Sequence, residues 1–206
     1  MSRIGFGLLC LFLWISAPSA EAADWTVHVL TADGSPLPDA VVWLTPGNTG
    51  QAPKPGIMDQ IHKTFVPYIL PVQTGTIVDF PNSDSINHHV YSFSPPKRFE
   101  LKLTPGGRTA HTVLFDKPGV VTLGCNIHDW MLAYIVVLDS PWFGQTGPDG
   151  SARLSAPDGV PRQVHIWHPQ IADEPAQLVQ ALTTAPVTFR LSRPLKPDLR
   201  RAPHAY

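Results

Sequence analysis

The stretch Gly124-Cys125-Asn126-Ile127-His128-Asp129-Trp130-Met131 carries a thiol, an imidazole and a thioether at Cys125, His128 and Met131, three soft to borderline donors on one short loop. It continues the β-branched run 120–124, which predicts a strand leading the cysteine sulfur into a sheet. Upstream, Asn87-His88-His89-Val90 offers a fourth donor at the expected start of another strand. Side chains alternate across a strand, so His88 and His89 point to opposite faces and one of them is available to meet Cys125. His88 is the expected partner. His89 is expected to be an outer hydrogen-bonding residue that steadies the cysteine loop.

What a lone thiol means depends on its compartment. The chain has 2 cysteines. Arg3, the apolar run 4–15 and Ala20-Glu21-Ala22 form the pattern of a cleaved export signal over residues 1–22, which takes Cys10 with it. The apolar run is shorter than the roughly 20 residues that span a bilayer, so no membrane insertion is expected and the mature protein is placed in the periplasm. One cysteine cannot form a disulfide within its own chain. It is buried and inert, pairs with another chain, or holds a metal, and His128 and Met131 beside it favour the metal.

The 23 prolines and 15 glycines punctuate short apolar runs, which suits an all-β fold and leaves little room for helices. A formal net charge of −1 gives no basic surface for nucleic acid or an anionic membrane. Strands are predicted at 25–31, 40–45, 65–72, 76–80, 88–93, 99–103, 111–115, 120–124 and 132–138. Asp33-Gly34 reads as a hairpin turn between the first two, and 46–56 as a surface loop. The tract 140–150 looks like a boundary, followed by strands at 152–155, 163–168, 178–183 and 187–191. Residues 23–138 are thus expected to form the main domain, 139–193 a smaller β unit and 194–206 a flexible, basic tail. The N-terminal hairpin is free to pair with the C-terminal unit.

Two imidazoles, a thiolate and a weak axial thioether form the ligand set of a blue-copper centre. Copper(II) and copper(I) prefer different geometries, and a trigonal plane with one long thioether contact is a compromise both accept. Met131 is either that axial ligand or too distant to bond. No vacant position is expected, which argues against an enzyme, because metal catalysis usually needs an open site. Asp129 reads as an exposed carboxylate and Trp130 as a packed aromatic. Met58, His62 and His111 read as structural. His165 and His168 sit three apart in a predicted strand, face opposite ways and make no second metal site.

Gly-Cys-x-x-His-x-x-Met, with His88-x-Val90 and Gly75-x-x-Val78-x-Phe80-x-Asn82, resembles the cupredoxins of the plastocyanin and amicyanin type. The wider pattern of Met58-Asp59-Gln60, residues 88–94 and residues 124–131 resembles periplasmic cupredoxin-like proteins of the bacterial methylamine-utilisation type. The resemblance implies a cupredoxin-like Greek-key β-sandwich and one copper ion in a type 1 site held by His88, Cys125, His128 and Met131. The flanks, Val27-x-Val29 with residues 33–42 and then 146–154 with His165-Ile166-Trp167, loosely resemble carboxypeptidase-regulatory or transthyretin-like sandwiches. They imply an accessory C-terminal fold for protein or carbohydrate contact.

The function expected is a monomeric electron carrier that exchanges single electrons with a periplasmic dehydrogenase, cytochrome or oxidase. The rival expectation is a copper-handling or ligand-binding protein, in which the metal is cargo and the second β unit does the recognition.

Overall fold

A computed structural model describes residues 22–47, 51–106, 111–157, 162–172, 177–182 and 186–200. The expected export signal lies outside them except for Ala22, as do residue 183 of one predicted strand and residues 201–206 of the tail. All regular structure among the described residues is β. The strands are β1 (Ala22–Leu30), β2 (Val41–Thr45), β3 (Gly56–Ile57), β4 (Asp59–Ile61), β5 (Thr64–Val66), β6 (Ile69–Gln73), β7 (Thr76–Asp79), β8 (His88–Ser92) and β9 (Phe99–Leu103). They continue with β10 (Thr112–Phe115), β11 (Gly119–Cys125), β12 (Leu132–Leu138), β13 (Phe143–Gln145), β14 (Ser151–Pro157), β15 (Arg162–Trp167), β16 (Gln177–Leu182) and β17 (Val187–Arg190).

Four sheets stack as layers. The order β14-β1-β17 faces β13-β2-β15-β16, and β6-β12-β11-β8-β9 faces β10-β7-β3. Val27, Val29, Val42, Leu44, Leu154, Val164, Ile166 and Phe189 fill the first pair. Val78, Phe80, Val90, Leu103, Phe115, Val121, Leu123 and Ile135 fill the second, which carries Cys125. A third cluster joins the two middle layers: Val41, Trp43 and Trp167 pack on Ile69, Tyr134, Val136 and Leu138, with Tyr134 and Trp167 edge to face at 5.4 Å. This explains why Leu132-Ala133-Tyr134-Ile135-Val136-Val137-Leu138 shows no polar alternation. Its odd-numbered residues face the site-bearing core and Tyr134, Val136 and Leu138 face the other sandwich, so both sides are buried.

Two local expectations change. Asp33-Gly34 does form a turn, with Gly34 at φ 93° and the Thr31 N–H bonded to the Ser35 carbonyl. The strands on either side of it nevertheless enter different sheets: β1 pairs with β14 and β17, and β2 with β13 and β15. The run predicted as one strand over 65–72 is two, β5 and β6, in different sheets. Pro67, which has no N–H for a ladder, stands in the gap between them. Residues 194–200 form no strand but are tied down. The Lys196 N–H and carbonyl bond to the Gln170 carbonyl and side-chain amide at 2.8 and 2.9 Å, and the Arg200 guanidinium lies 4.3 Å over the Tyr68 ring.

His168, just past β15, is buried, and burial pushes its pKa down from 6.5 to about 4. It is neutral when folded while the unfolded chain takes up a proton, so stability is complete above the ordinary value and falls as pH drops towards about 4. This group accounts for at most roughly 3 kcal/mol. Thermal melts between neutral pH and pH about 4.5 should therefore show a smaller acid loss for His168→Gln than for the native chain. Equal losses would show that His168 charges freely in the fold.

Candidate metal centre

The strand β8 alternates buried and half-buried side chains, sending His88 inward and His89 outward. His89 bonds to Glu100 on β9, and its backbone carbonyl accepts the Asn126 N–H at 2.9 Å. His89 therefore steadies the cysteine loop through its backbone rather than its ring. In the neighbouring antiparallel strand β11, Cys125 is paired with Val90, beside His88. Gly124 is needed there because a Cβ would come within 2.7 Å of the Tyr91 ring. After Cys125 the chain turns, and the Met131 N–H bonds to the His128 carbonyl at 3.1 Å, closing the loop.

His88, Cys125 and His128 come together as a buried group whose candidate ligand atoms all lie within 4.8 Å of one another. The Cys125 sulfur is 3.9 Å from Nδ1 of His88 and 3.8 Å from Nδ1 of His128. One soft thiolate and two imidazoles make a donor set that suits copper, so the residues fit a copper ion.

The protonation of the three donors is set by opposing influences. Burial disfavours a Cys125 thiolate, but the His88 contact and the N–H groups of His89, Ile127 and His128 outweigh it and lower the thiol pKa. Burial likewise opposes charge on His88, yet its bonds to Cys125 and Asp84 raise its pKa. His128 is pushed down, first by burial and then by the positive charges of His88 and Lys63, which keeps its imidazole neutral.

Around the three donors, Met131 and Trp130 are buried in the same core as Cys125. Trp130 is 5.2 Å from the His128 ring and donates its indole N–H to the Lys63 carbonyl at 3.1 Å. Asp129 and Ile127 point outward. Met58 is a core residue and His62 sits in an exposed turn. His165 stacks on Trp43 at 5.1 Å and bonds to the Thr45 hydroxyl, away from His168. Among the described residues, neither belongs to a group able to hold a metal.

Asp84 is the residue beside the site that the sequence reading missed. Its carboxylate is 2.9 Å from Nε2 of His88. It also accepts the N–H groups of His62 and Lys63 at 2.6 and 2.9 Å. Burial works against its charge, but the Lys63, His88 and His62 bonds hold its carboxyl below the usual range. A carboxylate only accepts, so Nε2 of His88 carries a proton, and Nδ1 is the nitrogen that faces the sulfur. The available signal was an acid four residues before a candidate ligand.

No protein-family model matches this chain, and no curated protein matches it. Among solved structures it is similar to a purple cupredoxin from Nitrosopumilus maritimus, at 22% identity and a TM-score of 0.36, over 40% of this chain and 99% of that one. It is also similar to the oxidised state of an amicyanin mutant, at 21% identity and a TM-score of 0.36, over 40% and 81% of the two chains. A third similarity, at 25% identity and a TM-score of 0.39, is to a copper-containing nitrite reductase from Thermus scotoductus SA-01, over 54% of this chain and 28% of that one.

Proposed function

We propose that the chain is a periplasmic type 1 copper protein that carries single electrons between redox partners. Cys125, His88 and His128 would hold one copper ion, with Met131 as the fourth candidate ligand. A bound copper would supply a one-electron couple between copper(II) and copper(I). The observation that carries this reading is the buried Cys125 sulfur with one ring nitrogen of His88 at 3.9 Å and one of His128 at 3.8 Å, in the same core as Met131. Strands β8 and β11 carry His88 and Cys125, and the Met131 N–H bond to the His128 carbonyl closes the loop that carries the other two. His128 is 8% exposed and its neighbour Ile127 is 53% exposed, which brings one ligand close to any protein docked on this loop. The partners are periplasmic dehydrogenases, cytochromes or oxidases, and the resemblance to methylamine-utilisation proteins belongs to this reading. Export rests on the pattern of residues 1–22.

Voltammetry of the copper-loaded protein, with a parallel challenge by a strong chelator, tests the reading. A reversible one-electron wave with copper retained is the expected result. Copper that passes readily to the chelator, with no reversible wave, would make the metal a cargo and the protein a copper handler.

A further inference from the structure

Strands β4 and β5 form a hairpin whose two-residue tip is His62-Lys63, and it touches both arms of the metal centre. Towards the upstream arm, the His62 and Lys63 N–H groups bond to the two carboxylate oxygens of Asp84, whose Oδ2 holds His88. Towards the downstream arm, the Lys63 carbonyl takes the Trp130 indole N–H, two residues beyond His128. Asp84 is fixed from its other side as well. Its own N–H bonds to Asn82, whose amide bonds to the Ile86 and Thr104 carbonyls. The tip has an unusual backbone: His62 and Lys63 stand at φ 53° and 57°, a turn that sequences usually assign to Asn-Gly. Strained residues of this kind gather where a function holds them. Here the strain aims two consecutive N–H groups at one carboxylate.

We propose that Asp84, clamped by this hairpin tip, is a positioning residue that orients His88 and lowers the reduction potential of the copper centre. The proposal rests on the copper reading above. A carboxylate accepting the Nε2 proton puts electron density on the ring, makes Nδ1 a better donor and favours copper(II) over copper(I). The two backbone N–H donors hold that carboxylate against Nε2 of His88 in a largely buried position, its side chain being 12% exposed.

In Asp84→Asn the amide oxygen still accepts the His88 proton, but the charge is gone. The expected result is a tenfold loss of copper(II) affinity relative to copper(I), which is a rise in potential of about 59 mV. Asp84→Glu, which keeps the charge, should recover at least half of that shift. The double substitution His62→Asn with Lys63→Gly suits the turn and keeps both backbone donors, so its potential should equal that of the native chain. An Asp84→Asn potential equal to or below the native value would overturn the proposal, and so would a shift that Asp84→Glu fails to reduce.

A second measurement needs neither a variant nor redox activity. In the native protein loaded with zinc(II), nitrogen NMR should find His88 protonated at Nε2 and metal-bound at Nδ1, and the reverse tautomer would refute the Asp84 role. A native copper(II) protein without an intense visible band would instead defeat the electron-carrier reading, and the tautomer measurement would still decide the orienting role.

Discussion

Replacing Cys125 by serine is expected to abolish the intense visible band of the copper(II) protein. Copper affinity should fall by more than the roughly 100-fold that loss of an outer partner can cause. Cys125 is 3% exposed, its sulfur is 3.9 and 3.8 Å from the His88 and His128 rings, and it is the one thiol of the buried group. Its charge is opposed by burial and favoured by His88 and by the N–H groups of His89, Ile127 and His128. A serine hydroxyl fits the same space and can meet the same N–H groups. It remains protonated, however, and is a hard, neutral donor where copper needs a soft anion. What remains is a pair of imidazoles without charge compensation. Absorbance titration with copper(II), followed by competition with a chelator, measures both effects, and far-ultraviolet circular dichroism establishes that the sheets persist. A serine variant that kept the band would remove sulfur from the account.

The largest stability effect is expected for Phe80→Ala, at about 3–5 kcal/mol. Phe80 has no exposed surface, and its ring lies 5.4 Å from Phe99, tilted by 56°. It bridges the two sheets of the site-bearing sandwich. Its N–H is bonded to the His111 carbonyl at 3.0 Å, which ties the backbone at the truncated side chain. Urea unfolding gives the number. Leu199→Ala, at a position 68% exposed, is the control and should stay within about 0.5 kcal/mol. Similar small losses for both would mean that Phe80 sits in a pliable region.

Much of the site could be read from residue order because its determinants are local. Cys125, His128 and Met131 share one loop, and strand alternation alone separates His88 from His89. The predicted strands 99–103 and 132–138 coincide with β9 and β12. What failed was non-local. Turn chemistry at Asp33-Gly34 reverses the chain but does not choose a pairing partner, and β2 leaves for a sheet whose other strands lie about a hundred residues downstream. The unbroken apolar runs in β2 and β12 look like ordinary core strands until the stacking of two sandwiches explains why neither side meets water. Asp84 escaped notice for the same reason. Its role depends on N–H groups of a hairpin about twenty residues upstream, which the fold brings against it.

Electron paramagnetic resonance of the copper(II)-loaded protein tests the trigonal thiolate centre most directly. A small parallel hyperfine splitting, from unpaired spin shared with the Cys125 sulfur, is the predicted result. The large splitting of an ordinary tetragonal copper(II) site would contradict it.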